Sequence, residues 1–203
     1  MPYQIPKTTY HTRYEIKKSQ FIGYAAHAPC REDAMAFVAS LKAKYPDAGH
    51  HCWAYLLGSP AAPESIAMSD DGEPSGTAGK PILNVLQHND IGDIIIVVVR
   101  YFGGIKLGAG GLVRAYSSSA QMTLESLPTH QLVKQTSLRV TADFKHEQFV
   151  RHFAQQHSGS INETQYHTAV TIAMLLPDQA VETFTSLGDS MGFTVEIGQS
   201  AGR

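Results

Sequence analysis

Two glycine-bearing loops hold most of the residues whose types and spacing suit chemistry. The first runs Ser69-Asp70-Asp71-Gly72-Glu73-Pro74-Ser75-Gly76-Thr77-Ala78-Gly79-Lys80-Pro81. Asp70, Asp71 and Glu73, with Lys80 close behind, suit a divalent cation or an acid–base pair. They also suit a solvated turn whose glycines satisfy backbone geometry and whose acids cap the following helix. A nucleotide P-loop is excluded by spacing, since GxxxxGK[ST] needs Gly at Pro74 and Ser or Thr at Pro81. The second loop is Arg100-Tyr101-Phe102-Gly103-Gly104-Ile105-Lys106-Leu107-Gly108-Ala109-Gly110-Gly111-Leu112-Val113-Arg114. Gly103, Gly104, Gly108, Gly110 and Gly111 stand between a strand-like and a helix-like run. There, free backbone N–H groups and a positive helix end make an anion cradle. Arg100, Lys106 and Arg114 add cations suited to phosphate. The alternative is a tight connection in which the glycines only permit close packing. A dinucleotide fingerprint is excluded, because Val113 stands where a small residue belongs and no acid follows about twenty positions on to hold a ribose.

A third segment, His50-His51-Cys52, does not suit a metal. Adjacent strand residues point to opposite faces, and His146 and His152 miss a common helical face. No metal and no cofactor are expected. One of the two histidines can face the carboxylate loop as an acid or base, or both can be satisfied strand residues. Tyr101, Phe102 and Tyr116 suit base stacking as well as core packing. No G-x-S-x-G elbow supports a nucleophilic serine, so no catalytic residue is assigned.

The elements that must position these residues follow from periodicity and punctuation. Tyr10–Lys17 and Phe21–His27 read as extended segments joined by Lys18-Ser19-Gln20. Arg31–Tyr45 reads as a helix, with Ala34, Phe37, Val38 and Leu41 on one face. Cys52–Leu57 and Ile66–Asp70 are strand candidates across a Gly58–Glu64 turn. Pro81–His88 is a short helix with Pro81 in its first turn. The unbroken Ile94–Val99 run within Ile94–Tyr101 predicts a central strand buried on both faces, and a helix is expected from about Leu112 to Leu127. Pro128 marks the expected boundary between domains 1–128 and 129–203. Beyond it, strand 132–143, helix 146–156, strands 160–166 and 169–176, helix 178–191 and strand 194–197 give a β-α-β-β-α-β order. That is the ferredoxin-like arrangement, in an α+β protein.

The 203 residues are 43% hydrophobic and 17% charged, an ordinary globular balance. The net charge of −2 excludes a bulk basic field, so any nucleic-acid role rests on a local patch. Cys30 and Cys52 show no framework or CxxC spacing and are expected reduced. The N-terminal stretch lacks an apolar signal segment and no apolar run reaches the ~20 residues of a membrane span. A cytoplasmic protein without membrane contact is expected.

Four ordered segments carry a resemblance to a known family: Glu15-Ile16-Lys17-Lys18-Ser19-Gln20-Phe21-Ile22, His50-His51-Cys52, Ser69–Pro81, and Val97-Val98-Val99-Arg100-Tyr101-Phe102-Gly103-Gly104-Ile105-Lys106-Leu107-Gly108. In these the chain resembles the IMPACT family, over about residues 10–125, and the remainder is similar to the C-terminal domain of its bacterial YigZ-type members. The resemblance implies a first domain like the second domain of small-subunit ribosomal protein five. It also implies a ferredoxin-like second domain like one of the translocating elongation factor. Both relatives handle RNA on the ribosome, and eukaryotic members regulate translation. The eukaryotic kinase-pathway role is not carried over, because the chain begins almost at the first shared strand. What is expected is a non-enzymatic, translation-related protein meeting RNA or the ribosome through Arg100–Arg114, with the second domain open to a protein partner. The rival expectation is a phosphate- or nucleotide-dependent enzyme using both loops.

Overall fold

The protein is described here by a computed structural model covering residues 2–201. The chain divides into two compact units between Leu132 and Val133. The division lies past the expected Pro128 because β1 (Tyr3–Pro6) pairs with β7 (Thr129–Leu132), which ties the segment after Pro128 back to the first unit. The strand expected over 132–143 is β8 (Gln135–Ala142), and β7 is an additional short strand ahead of it that ends at Leu132.

The main sheet of the first unit is antiparallel, in the order β2-β3-β6-β4-β5, built from β2 (Tyr10–Ile16), β3 (Ser19–His27), β4 (His50–Ser59), β5 (Ala62–Ser69) and β6 (Ile94–Tyr101). α1 (Arg31–Lys44) covers one face, where Ile95, Val97 and Val99 join Ile22, Tyr24, Val38 and Leu41. α2 (Gly79–Gln87) and α3 (Ala109–Glu125) cover the other, where Ile94, Ile96 and Val98 join Phe21, Leu56, Ile82, Leu86 and Tyr116. Alternate residues of β6 thus feed two cores, which is why its pattern is continuous rather than alternating.

Several connections are tighter than the sequence suggests. The β2–β3 hairpin closes over Lys17-Lys18 alone, both at positive φ (47° and 61°), and Ser19 already pairs with Ile16. β4 and β5 leave only Pro60 and Ala61 between them, in place of the longer Gly58–Glu64 turn. α2 begins at Gly79, so Pro81 is its third residue, still among the N–H positions without a helical acceptor. α3 begins at Ala109, because Gly108 (φ 74°) turns the chain and its carbonyl accepts the Leu112 N–H. Gly110 and Gly111 therefore belong to the first helical turn and not to the loop.

The second unit runs β8, a 3-10 turn (Phe144–His146), α4 (Glu147–Gln156), β9 (Ser160–Tyr166), β10 (Val170–Pro177), α5 (Asp178–Met191) and β11 (Thr194–Ala201). Its antiparallel sheet has the order β11-β8-β10-β9. The fourth, first, third and second strands of the unit lie side by side, the ferredoxin-like order. Leu138, Val140, Val150, Phe153, Ile172, Met174, Phe184 and Phe193 fill a core of its own. Among the described residues no helix is long and apolar enough to cross a membrane.

Candidate functional site

In the acidic loop, Asp70 closes the chain onto α2. Its Oδ1 accepts the Ala78 and Gly79 N–H groups at 3.0 and 2.8 Å, and its Oδ2 accepts that of Gly76 at 2.8 Å. Burial works to raise this carboxyl, but the three amide dipoles outweigh it and hold Asp70 below the ordinary aspartate range. Asp71, at φ 42°, stitches the loop to its surroundings. Its Oδ1 accepts from Lys42 Nζ and its Oδ2 from the His51 N–H, each at 2.7 Å. Here too burial is opposed and overcome, first by Lys42 and then by the His51 amide. Both acids are thereby engaged in the capping and turn roles weighed from sequence.

Glu73 does something else. It is 8% exposed, and its Oε1 accepts Arg100 Nη1 at 2.5 Å and the Tyr116 hydroxyl at 2.8 Å. Arg100 is itself only 6% exposed. Its guanidinium lies over the rings of Phe21 and Phe102, 5.5 and 5.7 Å from their centroids. Its Nε is enclosed with no partner. Below this pair, Cys52 Sγ lies 2.9 Å from the Asp70 carbonyl and 3.3 Å from the Tyr116 hydroxyl. Burial pushes both the Cys52 thiol and the Tyr116 phenol far up, so each keeps its proton and serves as a hydrogen-bonding group.

The histidines divide as strand neighbours must. His51 turns to the α1 side, buried, with its Nε2 unpartnered, and burial lowers its affinity for a proton. His50 faces the two loops. Its Nδ1 lies 2.9 Å from the Asp71 carbonyl, an acceptor, which assigns the proton to Nδ1. That leaves Nε2 at 3.8 Å from Glu73 Oε1. The two loops thus meet through Glu73, Arg100 and His50, whereas Asp70 and Asp71 turn back to the backbone. Lys80 is exposed and, among the described residues, makes no side-chain hydrogen bond or ion pair.

An open groove of about 470 Å³ lies at this junction, with His50, Glu73, Arg100, Phe102, Lys106 and Gly108 on its walls. On its rim Phe102 is 59% and Ile105 45% exposed. Lys106 and Arg114 are exposed too. The first turn of α3 carries no acidic residue and no side-chain cap, so the helix presents bare N–H groups and its positive end. Beside Gly104 and Gly108 there is open space where a Cβ would stand. Gly103 is the opposite case: a Cβ there would come within 2.0 Å of the Lys18 carbonyl carbon, and its N–H donates to Ser19 Oγ at 3.1 Å. Among the described residues no group of three or more His, Cys, Asp or Glu is arranged to hold a metal ion.

Of the residues singled out from sequence, Arg100 is a buried partner of Glu73, while Lys106, Gly108 and Arg114 form the accessible basic edge. Of the three aromatic candidates, Tyr116 is fully buried, Tyr101 half-buried and Phe102 exposed. The contribution of Tyr116 to Glu73 was hidden because the two are far apart in the chain. Only the fold brings the Lys17-Lys18 hairpin tip against Gly103, a contact that no local pattern in the sequence marks.

Comparison with known proteins agrees with this architecture. Residues 17–124 match the family model for the Impact N-terminal domain, and residues 140–187 match a domain of unknown function, DUF1949. An IMPACT family member of Haemophilus influenzae is 39% identical, over 91% of this chain and 89% of its own. The IMPACT family member YigZ of Escherichia coli is 41% identical, over 85% of this chain and 84% of its own. A crystal structure described as that of a hypothetical protein superimposes with a TM-score of 0.70 at 37% identity, over 97% of this chain and 96% of that one.

Proposed function

Since the chain belongs to the IMPACT family, we propose that it is a non-enzymatic, translation-related protein that holds RNA, free or within the ribosome, on the Phe102–Arg114 edge. The observation that carries this reading is the combination at one edge: exposed Phe102, exposed Lys106 and Arg114, and the uncapped glycine-bearing start of α3. An exposed ring offers a base a stacking face, and cations with bare amides take the adjoining phosphate. The expected likeness of both units to ribosome-handling folds points the same way. The near-neutral net charge fits a local contact and not a broad electrostatic one.

The test is co-sedimentation with ribosomes and titration of single-stranded RNA across a salt series. Wild type should bind with log K falling linearly in log salt, by roughly 0.7 per phosphate contacted. Lys106→Glu/Arg114→Glu should cut low-salt affinity at least tenfold, whereas Phe102→Ala should cost about 1–3 kcal/mol and leave the salt slope unchanged. Absence of binding at low salt, or binding indifferent to salt and to these changes, refutes the reading. Arg100 is left alone, because Glu in its place would set two buried carboxylates against each other. Against the rival enzyme reading, Asp70 and Asp71 are already occupied by backbone and lysine donors. A magnesium-dependent rise in Tm with a nucleotide would revive it.

A further inference from the structure

The β2–β3 hairpin spends two lysines where the backbone disfavours them. Ile16 pairs with Ser19, so the turn is Lys17-Lys18 alone, and both residues sit at positive φ, 47° and 61°. A two-residue turn of this kind is met most easily by Asn-Gly, since here a Cβ crowds the following carbonyl, glycine has none and asparagine offsets the cost by a local hydrogen bond. Consecutive left-handed residues that are neither Gly nor Asn point to a use for their side chains.

The turn also has a fixed address. Gly103 packs so closely on it that an added Cβ would lie 2.0 Å from the Lys18 carbonyl carbon and 2.3 Å from the Ser19 nitrogen. The Gly103 N–H donates to the hydroxyl of fully buried Ser19. Gln20 pairs with Tyr101, so hairpin tip and loop leave the sheet at the same end. Both lysines are exposed and, among the described residues, neither makes a side-chain hydrogen bond or ion pair. The acid nearest in sequence is the exposed Glu15. Glu73 at the loop base is already engaged by Arg100.

We propose that Lys17 and Lys18 form a second phosphate position beside the Phe102–Arg114 edge, taking a neighbouring phosphodiester of the same RNA strand. The inference rests on the RNA reading above and extends it by one contact surface on a separate element. It makes the hairpin a rigid arm: Gly103 and Ser19 fix its backbone, and the strained turn throws both ammonium groups outward.

Lys17→Asn/Lys18→Gly separates the two roles, because it supplies the residues such a turn prefers while removing both charges. The variant should melt a few degrees higher than wild type. It should nevertheless bind single-stranded RNA at least tenfold more weakly at low salt, with a salt slope lower by about 0.7, from the one phosphate released. Lys17→Gln/Lys18→Gln, which keeps the strain, should lose the same binding without the rise in Tm. If wild type binds in the salt-dependent manner and both variants match it in affinity and slope, the second phosphate position is wrong while the RNA reading stands. If wild type itself does not bind, the reading fails and the inference falls with it.

Discussion

Glu73 and Arg100 show how far a charge can be misjudged from its neighbours in sequence. Arg100 ends an apolar strand and precedes a glycine loop, a setting that suggests a phosphate ligand, yet its side chain is 7% exposed and committed to Glu73, whose side chain is 3% exposed. Removing one partner of such a pair leaves an enclosed charge, so Glu73→Ala should cost about 3–5 kcal/mol in denaturant unfolding. Glu73→Leu/Arg100→Met should cost clearly less than the sum of Glu73→Leu and Arg100→Met measured singly, because neither charge is then stranded. Additive single losses would show that the pair is not the unit of stability. The acids were legible as a group but not individually. Nothing in Ser69–Lys80 tells which carboxylate turns to amides, as Asp70 does, and which turns to a guanidinium, as Glu73 does. That choice depends on β4, β6 and α3, all distant in sequence.

At the scale of elements, the sequence spoke most clearly where burial is uniform. The continuous Ile94–Val99 run identified β6, and regular apolar spacing identified α1, because solvent exclusion writes directly into residue type. Turns were less legible, since Lys17-Lys18 and Pro60-Ala61 carry none of the usual Asn-Gly wording, and their tightness is set by strand register instead. β1 was missed altogether: Tyr3–Pro6 is too short to show a period, and its partner β7 lies at the far end of the unit. Adjacent glycines in the basic loop separate these influences. Gly103→Ala would drive a methyl group into the Lys18 backbone and should either part the hairpin from the loop or unfold the unit, whereas Gly104→Ala meets open space and suffers only from its φ of 84°. The second change should cost about 1–2 kcal/mol and the first distinctly more, as thermal unfolding would show. Equal losses would mean that the hairpin and the loop do not bear on each other.

The molecule as a whole contains two units with separate cores, the first in two layers about its sheet and the second on one side of its own. Phe184, fully buried among Phe153 and Phe193, belongs to the second alone. Phe184→Ala should therefore destabilise that unit by about 3–5 kcal/mol and leave amide-exchange protection along β6 unchanged. Lost protection in β6 would mean that the units unfold as one. The pairing of β1 with β7 has a bearing on how such a chain is made. Residues 3–6 leave the ribosome well over a hundred residues (~120) ahead of the strand they pair with, 129–132. β1 is thus left waiting through nearly the whole of its unit's translation, and its capture coincides with the moment the polypeptide passes from one unit to the next. The first unit is sealed by its beginning and its end together, so its completion is timed by the arrival of a single short segment.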